Sequence, residues 1–450
     1  MNTNEQILYF FEEKKYHTDY LVSKIGEQFL EQIKKESICV LTDSGLKFQY
    51  VGLLAYRDKV VVLLPKYISE KISETEKQLR AIKLVKVLQK YERMNPKKTD
   101  SDILIRNNER EFANRFAVAD FLLRDFMING YYQSFREEIF ENGKGEISWD
   151  ETINLTSPFF VKRTPYYLNT MNKEIESDLS NFILAVHKSI IYECYKKYGS
   201  ILGYSFLNVS KPRRTILELG PIQFILKNLK KELYITFIDQ RIRLIKSMIA
   251  FLNEEYNSLH SNLSLYGTKS FEYIWEYICG YIFNNQYKEY ISLIPPVRWL
   301  EFSTNQIKTK GKPRPDILKI YEDESGKKYF IIIDAKYFNI KFWKGELIGN
   351  PDVYDVEKQI LYEKLFKPHF PEYEFGNVFL FPNELGQNNY NFFGAVNMDF
   401  IGEKPVILVY LDTKLAYSMF LKEQRFNDEE IMMFVKELME RRIYAERLMK

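Results

Sequence analysis

The sequence has 450 residues, of which 46% are hydrophobic and 16% aromatic. This length exceeds that of one typical domain, and the apolar fraction excludes a chain that is disordered over long stretches. The 64 Lys and Arg residues are nearly balanced by 61 Asp and Glu residues, so the net charge is only +3. Any sign of a nucleic-acid partner must therefore come from local clusters of basic side chains.

The three cysteines lie far apart, at Cys39, Cys194 and Cys279. Their spacing fits neither a disulfide framework nor a zinc site, which favours a reducing compartment. No apolar run approaches the roughly 18 residues of a membrane-spanning helix. We therefore expect a cytoplasmic protein.

Three Gly-Lys pairs begin at Gly143, Gly311 and Gly326, and none is followed by Ser or Thr. A phosphate-binding P-loop requires that hydroxyl residue. We therefore expect that this chain binds no nucleotide itself.

Residues 1–70 predict a small N-terminal domain that combines a helix with an antiparallel sheet. Apolar positions recur with helical period over Thr18–Lys35, and three short β-rich runs follow, ICVLT, LKFQYVGLLAY and KVVVLLPKY. The runs are separated by DSG and RD, which are typical of tight hairpin turns.

Residues 71–265 predict a mainly helical middle domain. The candidate helices share a strongly charged composition and lie near Ser73–Tyr91, Glu109–Asn129, Ile175–Lys197 and Phe224–Glu255. The segment GKGEISWDETI, Gly143–Ile153, interrupts them. Charged helix faces of this kind are solvated or form docking surfaces, and the pattern does not distinguish the two.

Residues 266–450 alternate between predicted helices and strands, which indicates an α/β domain around a mixed sheet and an α+β chain overall. The predicted helices are Ser270–Asn284, Val353–Phe366 and Asp428–Leu448, and the predicted strands are Asp316–Tyr321, Tyr329–Lys336, Asn377–Phe381 and Pro405–Leu411.

The stretch PDILKIYEDESGKKYFIIIDAK, residues 315–336, contains two β-like runs that flank a polar turn. If the turn is centred on Ser325, the hairpin places Asp316 directly opposite Asp334, about 5 Å apart at Cβ. Lys336 lies two residues beyond Asp334 and projects from the same face of the strand. The sequence therefore predicts that three ionisable groups converge.

Two carboxylates this close repel each other unless one is protonated or a cation lies between them. A hard divalent ion, Mg²⁺ or Mn²⁺, held by Asp316, Asp334 and the Ala335 carbonyl fits this arrangement. Lys336 could then hydrogen-bond an attacking water or stabilise charge on a phosphate. This set predicts phosphodiester hydrolysis; the alternative is that Asp334 simply begins an exposed loop.

A predicted helix upstream of this hairpin offers a further acid. Its apolar stripe in FEYIWEYICGYIF is suited to packing on a sheet, and Glu272 and Glu276 lie on one margin of the stripe. Either glutamate could be another catalytic acid and metal ligand, or an ordinary boundary carboxylate.

The loop QIKTKGKPRPD, which precedes Asp316, is the best local basic cluster. Its basic residues are Lys308, Lys310, Lys312 and Arg314. Basic side chains beside an acidic site are suited to holding the phosphates of DNA, although a solvated loop is the alternative. Downstream, Gln359 and Tyr362 lie three residues apart on a predicted helix, where an exposed face is the alternative to a functional role.

At these residues the chain resembles the LlaJI type of restriction endonuclease, whose nuclease subunit is similar to McrC of the McrBC system. The similar segments cover most of the chain: Val51–Tyr67, Asn142–Ile153, Tyr266–Glu276, the PD and DAK elements, and EKQILY at Glu357–Tyr362. The resemblance implies a PD-(D/E)xK endonuclease core. It also favours Glu276 over Glu272 and places Gln359 in a Q-x-x-Y helix that contacts DNA.

The resemblance further implies partners. A separate AAA+ GTPase, similar to McrB, would recognise and translocate double-stranded DNA, and residues 1–265 would dock on it. Nuclease domains would dimerise to cut both strands. Two alternatives remain open: a non-catalytic scaffold subunit that stimulates the motor, and an exonuclease that resembles the RecB nuclease module.

Overall fold

The computed structural model describes residues 7–43, 45–95, 115–133, 135–177, 182–256, 263–386, 388–398, 401 and 404–449. The fold mixes helices with several sheets, as the sequence predicted. Contacts group residues 1–106 and 265–450 into one compact unit and residues 107–264 into a second. The predicted division into domains at 1–70, 71–265 and 266–450 stays a prediction, but both ends of the chain share the first unit.

The helices are α1 (Thr18–Ile25), α2 (Glu27–Lys35), α3 (Glu74–Met94), α4 (Arg115–Asn129), α5 (Trp149–Leu155), α6 (Phe182–Cys194), α7 (Ile216–Leu219), α8 (Ile222–Ile235), α9 (Asp239–Tyr256), α10 (Phe271–Ile282), α11 (Tyr287–Tyr290), α12 (Val353–Phe366), α13 (Thr413–Leu421) and α14 (Asp428–Met449). Within the described ranges, no helix is long and apolar enough to cross a membrane.

The strands are β1 (Leu8–Phe11), β2 (Lys15–Tyr16), β3 (Cys39–Thr42), β4 (Gly45–Phe48), β5 (Val51–Tyr56), β6 (Lys59–Leu64), β7 (Phe135–Glu141), β8 (Glu146–Ile147), β9 (Phe159–Val161), β10 (Thr164–Tyr166), β11 (Met171–Ser177), β12 (Ser264–Thr268), β13 (Arg298–Glu301), β14 (Gln306–Thr309), β15 (Ile317–Glu322), β16 (Lys328–Ala335), β17 (Lys341–Trp343), β18 (Glu346–Ile348), β19 (Glu374–Asn383), β20 (Tyr390–Val396) and β21 (Val406–Asp412).

The N-terminal strands form two sheets rather than the single antiparallel unit predicted from the sequence. The run LKFQYVGLLAY is divided between β4, in the sheet β2-β4-β3, and β5, in the sheet β1-β6-β5-β12. The predicted hairpin between β5 and β6 is present, but β1 lies parallel to β6. The second sheet also takes β12 from much further along the chain, which local pattern could not predict.

Strands β5 and β12 approach so closely that each has glycine at the contact. A Cβ atom on Gly52, whose φ is 145°, would lie 2.3 Å from the Tyr266 carbonyl oxygen. A Cβ atom on Gly267 would lie 2.2 Å from the Val51 carbonyl oxygen. Side chains at these positions would force the two backbones apart, so the contact between β5 and β12 requires glycine at both positions.

Two predicted helices are each divided in the structure, and a third starts later than predicted. Thr18–Lys35 is broken at Gly26, whose φ of 89° cannot continue a right-handed helix, and Phe224–Glu255 is divided between α8 and α9. Ile175 lies in strand β11, and the described part of the predicted helix is α6, Phe182–Cys194. The residues of the predicted helix before Arg115 lie outside the described part of the chain.

The second unit contains strands as well as helices. Its sheet has the order β7-β11-β8, and β9 and β10 form a separate hairpin. The sequences FREEIFE in β7 and MNKEIES in β11 carry many charges, so they lack the apolar alternation that marks a half-buried strand. The prediction of a mainly helical segment was therefore incomplete.

The C-terminal half of the first unit contains the predicted mixed sheet, in the order β15-β16-β19-β21-β20. Strands β16, β19 and β21 are parallel neighbours, and the edge strands β15 and β20 are antiparallel to them. Helix α12 packs through Tyr362 against the face that carries Phe330 and Ile332. On α10, the Trp275 indole donates a hydrogen bond to the Leu380 carbonyl of β19 at 3.4 Å.

Candidate active site

The hairpin β15–β16 has the predicted register, with Tyr321 opposite Tyr329 and Ile317 opposite Ile333. Continuing this register by one residue places Asp316 opposite Asp334. The Ala335 backbone N–H donates a hydrogen bond to Asp316 Oδ2 at 3.0 Å, which fixes that carboxylate against the end of β16. The hairpin prediction is confirmed, and it brings the two acids together at one end of the sheet.

Lys336 lies beside the acid pair and is almost completely buried. Its ammonium is 3.0 Å from Asp334 Oδ2 but is not aligned for a hydrogen bond to that atom; the aligned bond goes to Asp355 Oδ1 at 2.5 Å. Asp355 occupies the first turn of α12, where its N–H is capped by Asp352 at 2.9 Å. The sequence analysis missed Asp355, although the helix start at Asp352 is a recognisable capping signal.

The electrostatics of the site leave negative charge in excess. Burial raises the pKa of Asp316 well above its ordinary range, and the nearby charges of Asp334 and Glu276 raise it further. Burial lowers the pKa of Lys336, but the carboxylates of Asp334 and Asp355 outweigh burial, so its pKa is raised overall. Lys336 is therefore held protonated, and the acid pair favours a proton or a cation between its members.

The donor atoms suit a hard cation that is shared with a ligand. Asp334 is 3% exposed, and no described residue donates an aligned hydrogen bond to its Oδ2 atom. In the described ranges, however, no three His, Cys, Asp or Glu side chains are grouped closely enough to hold an ion by themselves. Mg²⁺ is commonly held by one or two carboxylates, with water and substrate phosphates completing its shell. The pair Asp316 and Asp334 fits that mode of binding.

The two candidate helix acids differ in their placement on α10. Glu276 is half-buried and near enough for its charge to act on Asp316, whereas Glu272 is exposed. This placement favours Glu276 over Glu272, in agreement with what the resemblance implies. As it stands, Glu276 does not complete a three-carboxylate cluster, so its role as a ligand stays a prediction.

The basic loop lies where the sequence predicted, immediately before Asp316. Lys308 lies on β14, and all four basic side chains are exposed: Lys308, Lys310, Lys312 and Arg314. The buried Tyr362 hydroxyl donates a hydrogen bond to the Arg314 carbonyl at 2.7 Å, which ties the loop to α12. A groove of about 730 Å³ runs between loop and helix, and its lining includes Lys312, Pro313, Arg314, Tyr354, Lys358 and Leu361.

Gln359 requires a correction, because it was expected to contact DNA. The side chain is 0% exposed, and its amide donates a hydrogen bond to the Ile332 carbonyl at 3.0 Å. The alternative of an exposed helix face is also wrong at this position. Gln359 instead attaches α12 to strand β16 of the sheet. Asp355 and Tyr362 lie on the same helix, so this bond helps to fix the position of the helix that carries them.

The family model described as LlaJI restriction endonuclease matches residues 50–414, which include the acid pair, Lys336 and the basic loop. The chain belongs to the LlaJI restriction endonuclease family. The resemblance indicated by the sequence motifs is thereby confirmed.

A curated relative of this LlaJI family member is the Type II restriction enzyme BsuMI component YdjA of Bacillus subtilis (strain 168). It is 34% identical over 434 residues, which cover 96% of this chain and 92% of the relative. This similarity spans both compact units of the chain.

Two solved structures are also similar. One is a half-complex from a tetradecameric assembly of Thermococcus gammatolerans McrB AAA+ hexamers with bound McrC, at 12% identity and a TM-score of 0.33, covering 93% of this chain and 99% of that chain. The other is the McrBC complex of the same organism, at 12% identity and a TM-score of 0.24, covering 54% of this chain and 79% of that chain. Both TM-scores are too low for functional inference.

Proposed function

We propose that this chain is the nuclease subunit of a restriction system and that it hydrolyses phosphodiester bonds of double-stranded DNA as a metal-dependent endonuclease of the PD-(D/E)xK kind. The observation that carries the proposal is the opposition of Asp316 and Asp334 at the end of a hairpin, with the protonated Lys336 beside them. Membership of a restriction endonuclease family supports the same reaction class.

In the proposed mechanism Asp316 and Asp334, with the Ala335 carbonyl, would hold Mg²⁺ or Mn²⁺, and Glu276 would add a ligand from the sheet edge. The bound cation would polarise the scissile phosphate and lower the pKa of an attacking water. Because the pKa of Lys336 is raised, this side chain suits the role of stabilising negative charge on the phosphate rather than that of accepting a proton. Asp355 orients the Lys336 ammonium from the opposite side.

The groove between the basic loop and α12 supports DNA as the substrate. Its lining carries four basic side chains, Lys312, Arg314, Lys358 and Lys364, against one acid, Glu357. The phosphates of double-stranded DNA are held by such basic side chains. Arg314 in its lining is two residues from Asp316, so we propose that the groove guides DNA towards the acid pair.

We further propose that the chain acts with a separate AAA+ GTPase that recognises and translocates DNA. The motif resemblance supports this partner, and the Bacillus relative is itself described as a component of a restriction enzyme. Residues 107–264 form a compact unit of their own, which suits a docking role. Dimerisation of the nuclease units would then cut both strands.

Cleavage of closed circular DNA tests the proposed function directly. We expect that the chain, mixed with its proposed AAA+ GTPase partner, GTP and Mg²⁺, opens the circle, and that EDTA stops the reaction. An endonuclease linearises a closed circle and an exonuclease cannot, so gel analysis of the products distinguishes the two. Uncut circles with degraded linear DNA would indicate an exonuclease, and intact DNA of both forms together with stimulated GTP hydrolysis would indicate a scaffold subunit.

Replacing Asp316 with Asn is expected to stabilise the metal-free protein at alkaline pH. An acid whose pKa is raised by folding binds its proton more tightly in the folded state, so its contribution to stability is lost as pH rises above the ordinary pKa of Asp. In EDTA, the melting temperature of Asp316→Asn should exceed that of the wild type by several degrees at pH 8 and match it near pH 4. Added Mg²⁺ should stabilise the wild type more than the variant.

The matched control for this experiment is Asp323→Asn in the turn of the same hairpin. Hydrogen bonds from Ser325 and Lys327 lower the pKa of Asp323. Replacing Asp323 should therefore change the melting temperature at pH 8 in the opposite direction, which is downwards. Equal melting temperatures of the wild type and Asp316→Asn at pH 8 would show that ionised Asp316 does not destabilise the metal-free protein, and would contradict this prediction.

A further inference from the structure

Tyr337 directly follows Lys336, just beyond the end of β16. It is 5% exposed and is held by side chains that are distant from it in the sequence. Its ring packs against Phe271 at the start of α10, with ring centroids 5.3 Å apart, and against the edge of Tyr67 at 6.2 Å. The Lys66 ammonium lies 4.6 Å above the ring. Tyr337 is therefore enclosed by the N-terminal sheet and the helix that carries Glu276.

The Tyr337 hydroxyl donates a hydrogen bond to Glu12, a residue 325 positions away in the sequence. Glu12 follows strand β1 and is 8% exposed. Its Oε2 atom accepts this bond at 2.5 Å and a second one from the Lys66 backbone N–H at 3.2 Å. The Glu12 backbone N–H is bonded to the Leu64 carbonyl at 2.8 Å. Glu12 is thus fixed by the end of β6 and directed at the residue next to Lys336.

A buried carboxylate costs free energy unless its partners compensate for lost hydration. Burial raises the pKa of Glu12 to about 7, which Lys66 and the Tyr337 hydroxyl only partly oppose. An apolar side chain would fill the same position without this cost. The cost of burying this carboxylate therefore indicates that Glu12 has a specific structural role in its contact with Tyr337, beyond filling space in the core.

We relate this role to the end of β16, where the backbone leaves the sheet. The Lys336 N–H donates to the Leu380 carbonyl at 2.9 Å, and the strand assignment ends one residue earlier, at Ala335. Beyond Lys336 the backbone direction depends on side-chain contacts, and the Tyr337–Glu12 bond and the Asn339 amide bond to the Lys66 carbonyl supply them. A rotation of the backbone at Tyr337 would move the Lys336 side chain away from Asp334.

We propose that Glu12 and Tyr337 are positioning residues of the active site, through which the N-terminal sheet fixes the backbone at Lys336 and so the direction of its ammonium. This inference rests on the proposed nuclease function, in which Lys336 stabilises charge at the phosphate. The N-terminal segment then supports the geometry of the active site in addition to any docking role.

Three substitutions test the proposal in the full chain with its partner and Mg²⁺. Tyr337→Phe removes the hydroxyl, and Glu12→Ala removes its acceptor; each is expected to lower kcat about tenfold and to leave KM for DNA unchanged, because Lys336 acts on the transition state. Glu12→Gln retains a carbonyl oxygen that can accept both hydrogen bonds and is expected to restore kcat. The double variant Glu12→Ala/Tyr337→Phe should lose no more than either single variant, because both changes break one link.

The matched control is Tyr417→Phe. Tyr417 is also 5% exposed and its hydroxyl is hydrogen-bonded to Tyr67 in the same core, but it does not adjoin Lys336. It should retain wild-type kcat. A metal-free readout is the rate at which Lys336 is reductively methylated, measured by mass spectrometry: it should rise in Tyr337→Phe and Glu12→Ala, and stay unchanged in Tyr417→Phe and Glu12→Gln.

The outcomes separate the two proposals. Asp334→Asn is assayed alongside: cleavage by that variant at the wild-type rate would overturn the assignment of the active site, and the absence of cleavage by the wild type would overturn the nuclease function itself. If Asp334→Asn is inactive while Tyr337→Phe and Glu12→Ala cleave at the wild-type rate, only the positioning role is overturned. An equal loss in Tyr417→Phe, or a loss in Glu12→Gln as large as in Glu12→Ala, would also overturn it by showing a general packing effect.

Discussion

Replacing Asp334 with Asn, or Lys336 with Met, is expected to lower kcat for DNA cleavage by about 10³-fold or more while the chain stays folded. Asp334 would hold the cation and Lys336 would stabilise the phosphate, so each change removes an interaction made in the transition state. A loss of that size corresponds to about 4 kcal/mol, which is within the range for removing one preorganised electrostatic contact in a buried site. Initial rates on circular DNA with the partner and Mg²⁺ measure the effect.

The chosen variants preserve shape, because both side chains are buried. Asn retains the volume of Asp334 and relieves its repulsion with Asp316, whereas Met retains the length of Lys336 without its charge. The controls come from the other end of the same hairpin, where Asp323→Asn and Lys328→Met make the same chemical changes far from the site. Both controls should cleave at the wild-type rate. More than a tenth of wild-type activity in Asp334→Asn would contradict the assignment.

Residues 266–450 expressed alone are expected to lack a cooperative unfolding transition. A cut before Tyr266 removes the start of β12 and also β5, to which that strand is joined at Gly52 and Gly267. It also exposes the buried surface around Tyr337. We therefore expect this fragment to lose its fold and not merely its docking to a partner, and thermal denaturation followed by circular dichroism measures the loss.

The matched comparison removes the other compact unit instead. Replacing residues 96–262 with a short Gly-Ser linker should leave a folded protein, because the Tyr266 hydroxyl is 3.5 Å from Glu92 Oε2, so the end of α3 and the start of β12 are close. Lys90 on α3 is also bonded to the Leu421 carbonyl at 3.2 Å. This deletion should melt cooperatively and lose partner binding. A cooperative transition in residues 266–450 at the full-length melting temperature would refute the expectation.

The sequence by itself determined the features that depend on near neighbours. The polar turn around Ser325 set the hairpin register, and the two-residue period of a strand then placed Asp316, Asp334 and Lys336 on one face. The apolar stripe of α10 placed both Glu272 and Glu276 at its margin, and only the family resemblance favoured Glu276. Motifs along most of the chain were sufficient to identify the restriction endonuclease family.

The tertiary structure alone decided which distant segments meet. Charged strands such as β11 carry no apolar alternation, and a periodic pattern cannot show that Gln359 points into the sheet rather than towards DNA. Asp355 reaches Lys336 only because α12 packs across β16, and Glu12 reaches Tyr337 only because β1 and β6 lie against the exit of that strand. These contacts depend on how side chains from distant segments pack into one core. The hydrophobic period of a single segment does not show which other segment it will contact.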